Sequence, residues 1–172
     1  SSGIPSSSMG RLIDAVASLL NVVHTNEYEG HAAMLLEDLA WQGQMMDKAC
    51  ESITGFGISR VESCLYLDSR PVIRSIVDAC LGGQSREVIA YGFHLAIAKL
   101  VIKAIEWLPD ELREMKQIGL TGGVFQNRLL VEEIQRRASR IGYRVLVHRH
   151  IPPNDSGLSL GQLWFSQTGT EL

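Results

Sequence analysis

The sequence is poor in the features that mark several large protein classes. It holds three cysteines in 172 residues. Cys50, Cys64 and Cys80 are odd in number and show no C-x-x-C spacing, so neither a disulfide framework nor a zinc site is expected. A reducing cytosol suits such a chain, and a cytoplasmic location is the expectation. Positive charge is not in excess: 16 Lys and Arg stand against 19 Asp and Glu, a net charge of −3, with a pI near 5.9. Generic binding to nucleic acid or to a membrane surface needs a basic stripe, and none is visible. No apolar run reads as approaching the roughly 20 residues of a membrane span. The start, SSGIPSSSMG, lacks the charged-then-apolar pattern of a secretion signal. Repeats and low-complexity tracts are absent as well. What is present is a 45% hydrophobic, 20% charged composition, which suits one globular domain or one lobe of a larger one.

Periodicity predicts a helix over Met9–Leu20, capped by one of Ser6 to Ser8, with Leu12, Ile13, Val16, Leu19 and Leu20 on one face. YEG at 28–30 opens a second helix, His31–Trp41, turning Ala33, Leu36 and Ala40 inward. The stretch 43–59 reads as loop with room for a short strand. VESCLYL at 61–67 alternates like a strand. Asp68 and Ser69 then cap a helix with Pro71 in its first turn, which stops at Gly82-Gly83. A long helix over Ser85–Trp107 follows, with Val88, Tyr91, Leu95, Ala98, Val101 and Ile105 as its buried face and Pro109 as its end. From Lys116 the order is strand (QIGLTGG), helix (Asn127–Arg140), strand (YRVLVH) and helix (Ser156–Gln167). That order implies a parallel pair joined by a crossover helix, hence an α/β part.

Three places stand out chemically. TGGVFQN at 121–127 sets Gly122 and Gly123 between a strand and a helix start. Glycines there let backbone N–H groups approach a phosphate or ribose, or they simply make a tight turn; the spacing matches neither G-x-G-x-x-G nor the Walker pattern. HRHIPPNDSGLSLGQ puts Asp155 at a helix start after the next strand. It reads as an N-cap, or as a carboxylate placed where ligands gather in open α/β sheets. Gly10 and Asp14, near the first helix start, suit either close ligand approach or an ordinary amphipathic helix. Glu29 reads as a cap or first-turn acid and His94 as a satisfied core histidine. His148 and His150 are not read as a chelating pair, and no cysteine has the basic neighbours of a reactive thiolate.

Taken together and in order, SSMGRLIDAVASLL, YEGHAAMLLEDLA, TGGVFQNRLL and PPNDSGLSLGQ resemble the C-terminal part of the HypF family, the carbamoyltransferases of NiFe-hydrogenase maturation. The resemblance covers nearly the whole chain and is weakest between Gly43 and Ser59. It departs from the family at Ser156, where NDGG is usual. It implies that residues 1–172 are one lobe of a Kae/TsaD-like domain: an α/β, actin/Hsp70/sugar-kinase (ASKHA)-like fold, helix-rich with a short mixed sheet. It implies a fragment of a longer protein whose acylphosphatase, zinc-motif and YrdC-like parts, and an H-H-x-H metal motif, lie elsewhere. On the same resemblance, Gly10, Asp14, Gly122, Gly123 and Asn127 would bind a nucleotide. Asp155 would give one ligand to a divalent metal (Fe, Zn or Mg). Carbamoyl phosphate and ATP would yield carbamoyl adenylate, and the carbamoyl group would pass to the C-terminal cysteine of HypE on the way to a cyanide ligand. The fragment alone would be inactive, and its cut apolar face would favour self-association. Two alternatives stand beside this: a TsaD-type tRNA threonylcarbamoyl transferase, which typically reads GGVAAN where this chain has GGVFQN, and a stand-alone nucleotide-binding or regulatory module.

Overall fold

The structure is a computed structural model that describes residues 6–46, 53–62 and 64–168. Helix α1 (Met9–Leu19) starts where Ser8 Oγ accepts the Arg11 N–H at 3.4 Å. Ile13, Val16, Ala17 and Leu20, an i, i+3, i+4, i+7 set, enter the core, whereas Leu19 falls off that set and stays 46% exposed. Helix α2 (His31–Met45) runs past its expected end at Trp41. Gly43 does not stop it but lets it touch α4 (Arg86–Ile105): a Cβ at Gly43 would lie 2.0 Å from the Glu87 carbonyl oxygen.

α4 is the centre of the molecule. It packs against α2, α3 (Arg70–Leu81) and α6 (Arg128–Arg140). Surrounded on several sides, it is buried almost all round, including Ile89, Ala90, Phe93, His94, Ala96, Ile97 and Ala98. The one-sided face expected from periodicity is therefore corrected: Leu95, Ala98 and Ile105 are buried, but Val88, Tyr91 and Val101 are only half-buried. A second correction concerns length. α4 is long and apolar enough by composition to cross a membrane, with a mean hydropathy of 1.7, although charges at Arg86, Glu87, Lys99 and Lys103 hide this in the sequence. Here 67% of its apolar stretch is buried inside the fold, the pattern of a core helix.

Among the described residues the strands form two separate ribbons, not the expected mixed sheet. β1 (Gly57–Val61) pairs antiparallel with β2 (Cys64–Asp68). VESCLYL therefore straddles a hairpin turn, with Glu62 at φ 54, and alternation alone did not reveal the reversal. β3 (Gln117–Leu120) and β4 (Arg144–Val147) are parallel, in register from Gln117↔Arg144 to Leu120↔Val147, with α6 between them in the chain. α4 stops at Ile105, short of the expected Trp107, and Pro109 opens a short helix, α5 (Asp110–Glu114), by accepting N–H groups from Leu112 and Arg113 at its carbonyl. α7 (Leu158–Thr168) follows a 3-10 turn at Asp155–Gly157 and remains open to solvent, with Leu158 62% and Trp164 70% exposed. Cys64 and Cys80 are free thiols on the surface, while Cys50 and the expected loop at 47–52 lie outside the described residues.

Candidate functional site

The parallel pair decides where the site candidates meet. Gly122 follows the carboxyl end of β3, and the loop 151–155 follows that of β4. The Gly122 N–H donates to the Pro153 carbonyl at 2.8 Å, and Gly123 lies against Asn154, where a Cβ would find the Asn154 Cβ at 3.8 Å. Two motifs some 30 residues apart in the chain thus form one edge. Gly122 has φ 102 and ψ 156, a conformation closed to L side chains, so its glycine is required by the backbone itself. Gly123 is different: the protein leaves ordinary room for a methyl group there. α1 lies against the 3-10 turn Gly123–Gln126, which brings the helix carrying Gly10 and Asp14 to the same region. Gly10 is half-buried, with only Ser8 Oγ near a Cβ position, at 3.5 Å. Asp14 accepts from Asn26 Nδ2 at 3.2 Å and from Arg11 Nη1 at 3.5 Å. Beside the turn, a cleft of about 330 Å³ opens among Leu120, Phe125, Val147 and Pro153 and the α6 residues Arg128 and Glu132.

Several expectations change at this edge. Asp155 is not the cap. Asn154 takes that place, its Oδ1 accepting the Ser156 N–H at 3.2 Å, and the Asp155 side chain is exposed. At the α6 N-terminus the second and third N–H groups are taken, because Leu129 N–H donates to Glu37 at 3.0 Å and Leu130 N–H to Asn127 Oδ1 at 2.8 Å. The 3-10 turn adds its own opening positions, Gly123 and Val124, which have no intrahelical acceptor. Glu29 is neither a cap nor a first-turn acid. Gly30, at φ 81, holds the cap position of α2, and Asn26 Oδ1 satisfies the Ala32 N–H at 3.0 Å. His148 and His150 lie beyond the end of β4. Strand alternation gives no reason to part them, since residues two apart share a face; instead His148 Nε2 meets Thr121 Oγ1 at 3.1 Å. Among the described residues no group of three or more His, Cys, Asp or Glu could hold a metal ion.

His94 is the satisfied core histidine expected, 2% exposed. Nδ1 must carry the proton, because its partner at 2.8 Å is the Ala90 carbonyl oxygen, which only accepts. Nε2 then accepts from Asn127 Nδ2 at 2.9 Å. Burial pushes its pKa from 6.5 down to about 4, against the opposing pull of the Ala90 bond. A second buried polar group, Glu133, was not anticipated. It is 4% exposed, accepts from Tyr91 OH at 3.4 Å and Arg136 Nη2 at 2.5 Å, and forms an ion pair with Arg137, whose Nε lies 3.4 Å away without a hydrogen bond. Burial, then the Glu133 charge, raises the Tyr91 pKa. The i+3 and i+4 arginines after Glu133 were a readable signal for this cluster. Glu37 and Asn26 had none, since their partners are set by tertiary contacts. A second cleft, about 370 Å³, lies away from this edge between β2 and α3, where Arg70 holds the Asp68 carboxyl below its usual range.

Comparison with known proteins shows the family. Residues 2–162 match the family described as the carbamoyltransferase Kae1-like domain, second subdomain. The carbamoyltransferase HypF of Synechocystis sp. is 31% identical over 157 residues, 91% of this chain and 19% of that protein. The carbamoyltransferase HypF of Rhodobacter capsulatus is 33% identical over 159 residues, 91% of this chain and 19% of that protein. A full-length HypF crystallised in a phosphate- and nucleotide-bound form matches with a TM-score of 0.77 at 30% identity, over 94% of this chain and 20% of that one. The chain spans about a fifth of the length of these relatives.

Proposed function

The chain belongs to the family of the second subdomain of the carbamoyltransferase Kae1-like domain, and on that premise we propose that it acts as one lobe, over residues 1–172, of a longer cytoplasmic carbamoyltransferase. In this reading the lobe is ASKHA-like, and its edge at Gly122, Gly123 and Asp155 faces a nucleotide. The observation that carries the reading is the 2.8 Å bond from Gly122 N–H to the Pro153 carbonyl. It joins two separately suspected motifs outside the carboxyl ends of a parallel strand pair, where ligands of open α/β sheets gather. Gly10 and Asp14, on the helix that adjoins the turn, would form a second wall. The nucleotide- and phosphate-bound state of the full-length HypF noted above supports the same class of ligand.

The finer scheme is carbamoyl transfer from carbamoyl adenylate, made from carbamoyl phosphate and ATP, to the C-terminal cysteine thiolate of HypE for cyanide-ligand synthesis. The thiolate attacks the carbamoyl carbon and AMP leaves with the bonding electrons. Asp155 is exposed and single, so it would be one ligand of a divalent metal (Fe, Zn or Mg) whose remaining ligands come from outside the described residues. The Phe125-Gln126 pair in GGVFQN, with the HypF relatives described above, favours this reading over tRNA modification.

Two substitutions in the full-length protein test it. Gly123→Ala adds a methyl with ordinary contacts only, so stability should hold within about 0.5 kcal/mol while nucleotide affinity falls. Asp155→Asn leaves the Asn154 cap intact, so the fold should hold while metal content drops and transfer to HypE slows roughly 100-fold. Unchanged affinity in the first and unchanged metal content and transfer in the second would sink the proposal.

A further inference from the structure

We propose that His94 is a positioning residue for the glycine turn: from inside α4 it holds Asn127, and through Asn127 the far end of the Gly123–Gln126 turn, in the geometry that presents Gly123 to a nucleotide. The proposal rests on the nucleotide reading above. The turn has two ends, and each is tied down differently. At the near end, Gly122 donates to Pro153 and accepts from Phe125 N–H at 3.0 Å. At the far end, the Asn127 N–H donates to Val124 O at 3.2 Å, Oδ1 accepts the Leu130 N–H, and Nδ2 donates to His94. The bond to His94 is the polar tie between this end and α4, the most buried helix of the fold.

The amide orientation is dictated. Leu130 N–H needs an acceptor, so Oδ1 must face α6. Nδ2 must then face α4, where His94 Nε2 is bare because Nδ1 spends its proton on Ala90. Asn127 is 7% exposed, and its side chain is engaged at both ends. Through these bonds it acts on the ligand site by way of the turn. Replacing the His94 ring by an apolar group strands a buried N–H donor. The amide regains a partner only by rotating toward solvent, which uncaps α6 and frees the turn.

The test uses ATP binding by calorimetry to the protein as encoded by its gene, with urea midpoints measured in parallel. His94→Leu should weaken ATP roughly tenfold or more, while His94→Gln, whose amide oxygen can accept from Asn127, should stay within about twofold. A merely structural role would lower the urea midpoint of His94→Leu and leave its ATP affinity unchanged well below the melting temperature; that outcome overturns the proposal. Should His94→Leu not fold, Asn127→Ser and the wild-type ring decide. Serine keeps a cap oxygen without the amide donor, and ATP should weaken; unchanged affinity overturns the proposal. The His94 ring nitrogens should show a protonated Nδ1 and a bare Nε2 by 15N NMR, and the opposite tautomer overturns it. Gly123→Ala separates the two levels. If it leaves ATP affinity intact, the nucleotide reading fails and the positioning role falls with it; if it weakens ATP but His94→Leu does not, only the His94 assignment fails.

Discussion

Mild acid should destabilise this fold through one side chain, His94. Its pKa falls from 6.5 to about 4 because burial disfavours the imidazolium, and the Ala90 bond offsets only part of that. The unfolded chain therefore binds the proton more tightly than the folded one. The contribution to stability is complete above 6.5, declines as pH falls through the window from 6.5 to 4, and is gone below it. The full span is about 3 kcal/mol, of which about 2 kcal/mol is lost between about pH 7 and pH 5. With a urea slope of about 2 kcal/mol/M for a chain of this size, the unfolding midpoint should drop by about 1 M. His94→Gln removes the titration and supplies the reference slope, to which ordinary carboxylates contribute mainly below about pH 5. Equal slopes for wild type and His94→Gln over this interval would refute the reasoning, as would an NMR titration placing the ring near its ordinary value.

Three further outcomes are expected. Gly43→Ala should cost about 2–4 kcal/mol, since its Cβ would lie 2.0 Å from the Glu87 carbonyl and 3.1 Å from the Tyr91 Cβ, so α2 and α4 must part; a wild-type thermal melt would disprove that close approach. The isolated 172-residue chain should transfer no carbamoyl group, and measurable turnover of carbamoyl phosphate by it would count against a shared cleft. Its exposed α7, with Leu158, Leu163, Trp164 and Phe165 at 53–70% exposure, should drive concentration-dependent association, visible by sedimentation; a strictly monomeric profile at high concentration would argue otherwise.

The local signals were legible because their causes are local. Ser8, Ser85 and Asn127 cap the helices they precede, and each accepts the N–H of the residue three positions on. Gly83 and Gly142 end helices at positive φ, and the β3–α6–β4 order does make a parallel pair. Hydrophobic period and capping chemistry act within a few residues, so they can be read without a partner in view. They failed where a neighbour intervened: α4 lost its one-sided face because three helices surround it, and α2 outran its expected end because Gly43 serves α4 and not a helix stop.

The candidate edge divides along the same line. That a glycine pair parts a strand from a helix start, that a carboxylate follows the next strand, and that His94 must find partners inside a helix are consequences of residue type and order alone; that Gly122 in particular needs glycine came from its backbone conformation. Which groups meet was decided only by tertiary structure: Gly122 with Pro153, His94 with Asn127, Glu37 with the α6 N-terminus, and Asn154 in place of Asp155 as the cap. A buried polar atom announces in the sequence that it requires a partner, because leaving it unpaired costs about 1–3 kcal/mol. It does not say which one, because the partner lies 33 residues away for His94 and 92 for Leu129, at separations where only the packing of α2 and α6 around α4 chooses the neighbour.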